Sequence, residues 1–206
     1  MIGSLSLAVA GLYNLALMVT LAASEFFQSY TARVFFAQAA DGLAKGQGRA
    51  DTYYAPLRVL RPLFGFACGG GLTFGEAFFR IVFDERYAAA GGYFTILVIA
   101  PILSLFSLPA GQMHVALGHP KRVFWSDILR IVWLGAVALP AFRFAGLEGL
   151  LYAVSTIEVL PMLFFTAYLA REDVFRPARE LPTLAAIGAG ALAGAAMTAA
   201  AVGLGF

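Results

Sequence analysis

Residues 108–122 read LPAGQMHVALGHPKR. A run of small and apolar residues carries two polar side chains, Gln112 and His114, and then stops at Gly-His-Pro-Lys-Arg. Gly118 can take the left-handed conformation that ends a helix. Pro120 cannot continue that helix because it has no N–H, yet its fixed φ suits the first position of the next. Lys121 and Arg122 put two cations at the turn. Ala110, Gly111 and Ala116 let neighbouring helices approach closely. The stretch therefore predicts a helix end, a tight turn and a second helix. Pro101 and Pro109 free backbone carbonyls, so kinks are expected at those positions.

Composition decides what surrounds such a hairpin. Of 206 residues, 61% are hydrophobic and 13% charged. A soluble domain is nearer half apolar and a quarter charged, so this chain cannot cover itself with polar surface. Lipid is the expected solvent. A net charge of +2 is too small to point to nucleic acid. The single cysteine, Cys68, excludes an intrachain disulfide and reads as a small packing residue. One Cys and two His residues build no metal cluster, and no cofactor motif is present. The first basic residue is Arg33, so the N-terminus lacks the cationic start of a secretory signal and reads as a retained span.

A membrane-crossing helix needs about 20 mostly apolar residues. Six segments qualify, at about residues 5–36, 57–83, 92–117, 123–142, 147–169 and 181–204. The runs are continuous rather than alternating, which favours helices over a barrel. The expected class is all-α, a polytopic membrane bundle of about six helices. The first segment is longer than a bilayer requires, so its amphipathic end should project. Nine cations flank the connections after segments one, three and five: Lys45, Arg49, Arg58, Arg61, Lys121, Arg122, Arg171, Arg176 and Arg179. Arg80, Arg86 and Arg143 mark the other side. This asymmetry predicts that the cation-rich connections are cytoplasmic and both termini outside. A chain that begins and ends outside is what a piece of a longer protein would give.

Polar groups inside such segments are costly and face a bundle interior or water. Glu25 and Gln28 lie near one face of the first helix, with Arg33 two turns further. They either line a cavity or snorkel from a long helix end. Glu76 is expected to pair with Arg80, four residues on. Asp127 and Arg130, three apart, form an intrahelical pair or line a vestibule. His114 is either a proton-coupling group or a packing residue. Glu158, in YAVSTIEVLPMLFF, has no cation within a helical turn. It needs a partner from another helix, a proton or water, and Pro161 beside it is expected to break the helix. Tyr53, Tyr54, Trp125, Phe142 and Phe144 fit interfacial aromatic belts. The last segment, rich in small residues at i, i+4 spacing, should pack tightly.

Pro109-x-Gly111-Gln112, followed by Ala116-Leu117-Gly118-x-Pro120-Lys121 and an apolar helix, resembles the C-terminal part of bacterial polysaccharide flippases. These belong to the multidrug/oligosaccharidyl-lipid/polysaccharide exporter superfamily. GLYNLAL (11–17), VFDERYAAAGGYF (82–94) and FAGLEGLLYAV (144–154) fit the same order. The resemblance spans residues 10–175. It implies a C-terminal lobe lacking its first helix over residues 1–175, and an additional transmembrane helix over 176–206. The implied activity is not enzymatic. It is the flipping of a polyprenyl-diphosphate-linked oligosaccharide across the inner membrane, for polysaccharide biosynthesis, by alternating access of two lobes. The implied partners are that lipid-linked oligosaccharide, the bilayer, and a missing N-terminal lobe or partner subunit. No cofactor or metal is implied. Gln112 matches the motif and is expected to bridge helices, and Arg33 and Arg130 are the cations available to a diphosphate. The residues expected along a substrate or ion path are thus Glu158, Glu25, Gln28, Arg33, Gln112, Asp127 and Arg130. An exporter of a drug or peptidoglycan precursor, and a non-transporting subunit of a glycan-synthesis complex, remain as alternatives. A membrane glycosyltransferase or acyltransferase would need paired carboxylates or an Arg-His centre at a membrane face, which the sequence does not offer.

Overall fold

Prolines mark two of the places where the helices of this chain break. The computed structural model describes residues 7–83 and 85–203; the expected segment ends at Leu5 and Leu204, and Asp84 of the third motif, lie outside them. The described elements are all helical. They are α1 (Leu7–Tyr30), a π-helical turn (Thr31–Phe35), α2 (Phe36–Ala44), α3 (Arg49–Tyr54), α4 (Leu60–Phe83), a 3-10 turn (Glu85–Tyr87), α5 (Ala88–Leu97), α6 (Ile99–Ala116), α7 (Pro120–Ser155), α8 (Val159–Arg171) and α9 (Pro177–Gly203).

The third expected segment is divided at Val98, and the fifth at residues 156–158. Each break lies just before a proline, Pro101 and Pro161. A proline removes the bond to the carbonyl four residues back and its ring strikes that carbonyl. Those residues are Leu97, the last of α5, and Ile157, inside the second break. In both cases the proline sits in the first turn of the following helix, where a missing N–H costs nothing. At Pro109 there is no such break, and α6 continues through it.

Five runs are long and apolar enough to cross a membrane. One of them, Pro120–Arg171, has 52 residues, about 78 Å if straight. It does not run straight. Non-helical backbone at Ala145 and Gly146, the latter at φ +59°, turns α7 back on itself. Trp133 Nε1 then donates to the Ala153 carbonyl at 3.1 Å. A Cβ on Gly149 would lie 2.1 Å from the Ala141 oxygen, so only glycine admits the opposite arm there. The chain is thus an all-α bundle in which this run supplies two antiparallel arms.

The Gly-His-Pro turn forms as expected. Gly118 has φ +81°, His119 N–H bonds to the His114 carbonyl at 2.8 Å, and Pro120 starts α7. That start is three residues earlier than the apolar run indicates. Helix one extends past residue 36 to Ala44, and the run Val9–Ala44 has 36 residues. At about 54 Å it exceeds the roughly 30 Å hydrocarbon core.

Two clusters form the core. At one end Phe35, Ala39, Tyr53, Leu57, Met113, Phe165, Leu169 and Val174 pack together. At the other, Ala16, Phe79, Ala90, Leu97 and Leu151 do so. The first cluster joins the connections after segments one, three and five, which places the nine cations of the charge count at one end. Tyr53 and Tyr54 are buried here and are not belt residues: α3 folds under the end of α2, which the apolar pattern cannot reveal. Trp125, Phe142 and Phe144 are exposed.

The tightest helix pair is α4 with α9. A Cβ on Gly69 would lie 2.1 Å from the Ile187 oxygen, and one on Gly190 2.0 Å from the Phe66 oxygen. Thr73 Oγ1 donates to the Ala191 carbonyl at 2.8 Å, and Thr198 Oγ1 to the Thr73 carbonyl at 2.8 Å. The small-residue spacing of the last segment has this seam as its purpose.

Candidate functional site

The break before α8 leaves Glu158 as the residue capping that helix, with no side-chain bond to its own backbone. Its carboxylate turns instead to the N-terminal arm of α7. Arg130 Nε donates to Oε1 at 2.8 Å and Nη2 to Oε2 at 3.0 Å. Ser107 Oγ, from α6, donates to Oε2 at 2.7 Å. The third nitrogen of Arg130, Nη1, is held by Asp127 Oδ1 one turn back on α7. Three separate pieces of chain meet at this point, none adjacent in sequence.

The depth of the cluster follows from helix geometry. Arg130 is seven residues past Val123, where the apolar run begins after Lys121 and Arg122, about 10 Å along the axis. The side chain of Glu158 is 12% exposed and that of Arg130 24%, whereas Asp127 is 59% exposed. The guanidinium therefore bridges an inner carboxylate and an outer one. A two-point Arg–carboxylate pair is among the strongest hydrogen-bonded contacts available and has the geometry that also fits phosphate oxygens. The start of α8 adds the positive end of a helix dipole next to the Glu158 carboxylate. The cluster holds one cation and two carboxylates. The Ser107 hydroxyl completes it, donating to the inner carboxylate.

Of the residues expected along a path, the structure brings together Glu158, Arg130 and Asp127. Glu158 finds its partner on another helix, and Asp127 and Arg130 form their pair. The others stand apart. Glu25 and Arg33 are exposed on helix one, and neither makes an ion pair among the described residues. Arg33 is central in the π-helical turn Thr31–Phe35, a distortion that often marks functional positions. Gln28 borders a cavity of about 110 Å³ with Thr20, Ser24, Phe64 and Cys68. Gln112 is half-buried and makes no hydrogen bond among the described residues. The expected helix-bridging bond is therefore not formed among them.

His114 resolves to the packing reading. It is fully buried, with Nε2 3.2 Å from the Phe165 carbonyl and Nδ1 3.1 Å from Arg122 Nη1. A neutral ring satisfies both, donating from Nε2 and accepting at Nδ1. Arg122 in turn pairs with Glu172 and stacks over Tyr168, 4.3 Å from the ring centre. Glu76 and Arg80 pair at 3.1 Å, as their spacing predicts.

Two groups went unforeseen. Ser107 is an ordinary helix residue in the sequence, and nothing but its partner marks it. Arg61, a flanking cation by position, is only 2% exposed, and its partner Glu180 is 6% exposed. Arg61 Nη2 lies 2.6 Å from Glu180 Oε2, and Tyr54 O–H donates to Oε1 at 2.9 Å. The residues of this pair are 119 positions apart, and only the α4–α9 seam brings them together. Among the described residues no three His, Cys, Asp or Glu side chains converge to hold a metal ion.

No family model matches the chain, and neither curated proteins nor solved structures give a match.

Proposed function

We propose that the chain is the membrane part of an exporter that flips a polyprenyl-diphosphate-linked oligosaccharide across the bacterial inner membrane. The observation that carries this reading is the Arg130–Glu158 pair, held by Ser107 and Asp127 where a membrane helix is broken. Ionisable groups within membrane segments mark substrate or ion routes, and broken helices recur at transporter sites. The substrate class comes from the resemblance carried by residues 109–121 and the three accompanying motifs.

In this reading Arg130 is the group that meets the diphosphate. Its two-point contact with Glu158 has the shape of a contact with two phosphate oxygens. Substrate oxygens replace those of Glu158 in one state of the alternating cycle, and Glu158 returns in the other. A second lobe or partner subunit covers the face of helix one that presents Glu25 and Arg33. The cation-rich end lies in the cytoplasm, following the charge asymmetry. The chain makes and breaks no covalent bond.

The test is flux of the lipid-linked oligosaccharide in cells whose native gene carries Glu158→Gln, with insertion checked by membrane fractionation. Loss of flux with normal insertion supports the reading. Full flux removes the site, and a non-transporting subunit of a glycan-synthesis complex then accounts better for the chain.

A further inference from the structure

A cavity lies away from the Arg130–Glu158 cluster, at the cation-rich end between the start of α4 and the start of α9. Its volume is about 570 Å³, and Arg58, Arg61, Arg179, Tyr54 and Asp51 are among the residues lining it. Three arginines therefore border one space. The helices that begin beside it, α4 and α9, run 24 and 27 residues, so two positive dipole ends converge there.

The state of each arginine shows what is still available. Arg61 is buried; Glu180 takes Nη2 and the Phe106 ring covers its face at 4.4 Å. Its Nε is buried without a hydrogen-bond partner among the described residues. A buried N–H of a charged group is seldom left so. Arg58 is exposed, and its side chain has no partner among the described residues. Arg179 Nη1 contacts Asp51 Oδ1 at 2.7 Å, with both side chains largely exposed. An exposed pair of that kind holds weakly, so Arg179 can change partner at little cost. With Asp51 the lining carries a formal charge of +2, three arginines less one aspartate. Glu180, behind Arg61, reduces it to +1.

We infer that this cavity binds a phosphoryl group, and that its source is the headgroup of an anionic phospholipid in the leaflet facing the cation-rich end. Guanidinium donors from several arginines suit a tetrahedral anion with several acceptor oxygens. A carboxylate alone would leave the third arginine unused. The volume also leaves room for the glyceryl part of a headgroup beside the phosphate. Arg58 and Arg179 close on the anion from the exposed side, and the charge of Arg61 lies behind it. This inference does not depend on the transport reading.

The experiment measures binding of short-chain phosphatidylglycerol, phosphatidylcholine and inorganic phosphate to the purified full chain in neutral detergent. Arg58→Gln/Arg179→Gln is compared with Lys121→Gln/Arg171→Gln, which removes the same charge from the same end outside the cavity. Phosphatidylglycerol should bind saturably, and the first pair should weaken it tenfold or more while the second leaves it within twofold. Lipid binding that inorganic phosphate does not displace assigns the headgroup as the source. Displacement at similar concentration supports the phosphoryl site but overturns the lipid as its source. Equal binding of phosphatidylcholine, or equal weakening by the two variant pairs, overturns the site.

Discussion

Replacing Gly190 by alanine tests the packing that holds the last helix in place. The added Cβ would lie 2.0 Å from the Phe66 oxygen and 2.8 Å from its carbonyl carbon. Both atoms are backbone and cannot rotate away. Real contacts of this kind essentially never fall below 3.0 Å, so α9 must withdraw by about 1 Å. A gap of 0.5–1 Å forfeits roughly a quarter to a half of each dispersion contact along the seam. It also stretches the 2.8 Å bonds of Thr73 and Thr198. Overpacking of this sort costs about 1–3 kcal/mol. Gly188→Ala is the reference, because nothing lies within 4 Å of its Cβ and it gains the same helix propensity, about 1 kcal/mol. The assay is equilibrium unfolding by SDS in mixed micelles, followed by circular dichroism. Gly190→Ala should be less stable than Gly188→Ala by about 1–3 kcal/mol. Gly69→Ala, whose Cβ would meet the Ile187 oxygen at 2.1 Å, should cost a similar amount. The double variant should cost clearly less than the sum, because one withdrawal of α9 relieves both clashes. Equal stability of Gly190→Ala and Gly188→Ala, or full additivity with Gly69→Ala, refutes the described seam.

Arg130→Met strands the Glu158 carboxylate on Ser107 alone, and should cost about 3 kcal/mol in the same assay, the low end for a broken buried pair. Adding Glu158→Gln should recover most of that loss, and a double-mutant cycle showing no coupling contradicts the pair. His114→Phe keeps the ring volume but abandons the Phe165 carbonyl and Arg122, and should lower stability by about 1–3 kcal/mol; His114→Gln should cost less. Burial pushes the Tyr53 phenol from its ordinary 10 up to about 12, with Arg61 opposing and Glu180 adding to the rise. The folded state therefore keeps a proton that the unfolded chain loses. Stability from this group is complete below pH 10 and falls as pH rises from 10 to 12, by about 3 kcal/mol in all. Unfolding midpoints of wild type and Tyr53→Phe should diverge across that window, and parallel curves rule it out.

Much of the bundle was legible because lipid imposes a simple demand on sequence. The apolar runs, the Gly118-His119-Pro120 turn and the spacing of Glu76 with Arg80 and of Asp127 with Arg130 are local. Local geometry suffices to read them. The prolines were legible only in part. Their effect falls on the residue four positions earlier, so the breaks appear at Val98 and at residues 156–158, while Pro109 is accommodated. The site was half legible. That Glu158 needed a partner from another helix followed from its isolation, but nothing local named Arg130 or Ser107. Those contacts depend on the fold-back at Gly146. Arg61 and the two buried tyrosines were hidden for the same reason: their burial is created by α3 and α9, which arrive from elsewhere in the chain. Glu25, Gln28 and Arg33 were placed on one helix face by spacing, yet spacing did not place them against the cluster.

The most direct test of the central claim separates a moving ion pair from a static lock. The native protein carrying Arg130→Met together with Glu158→Gln removes both charges while filling similar volume, so folding should survive. Reconstituted in vesicles, it is compared with wild type for flipping of a polyprenyl-diphosphate-linked oligosaccharide. Wild-type stability with flipping reduced at least a hundredfold is the expected result. Wild-type stability with unchanged flipping would show that the pair only joins helices, and would contradict the proposed role of Arg130 and Glu158.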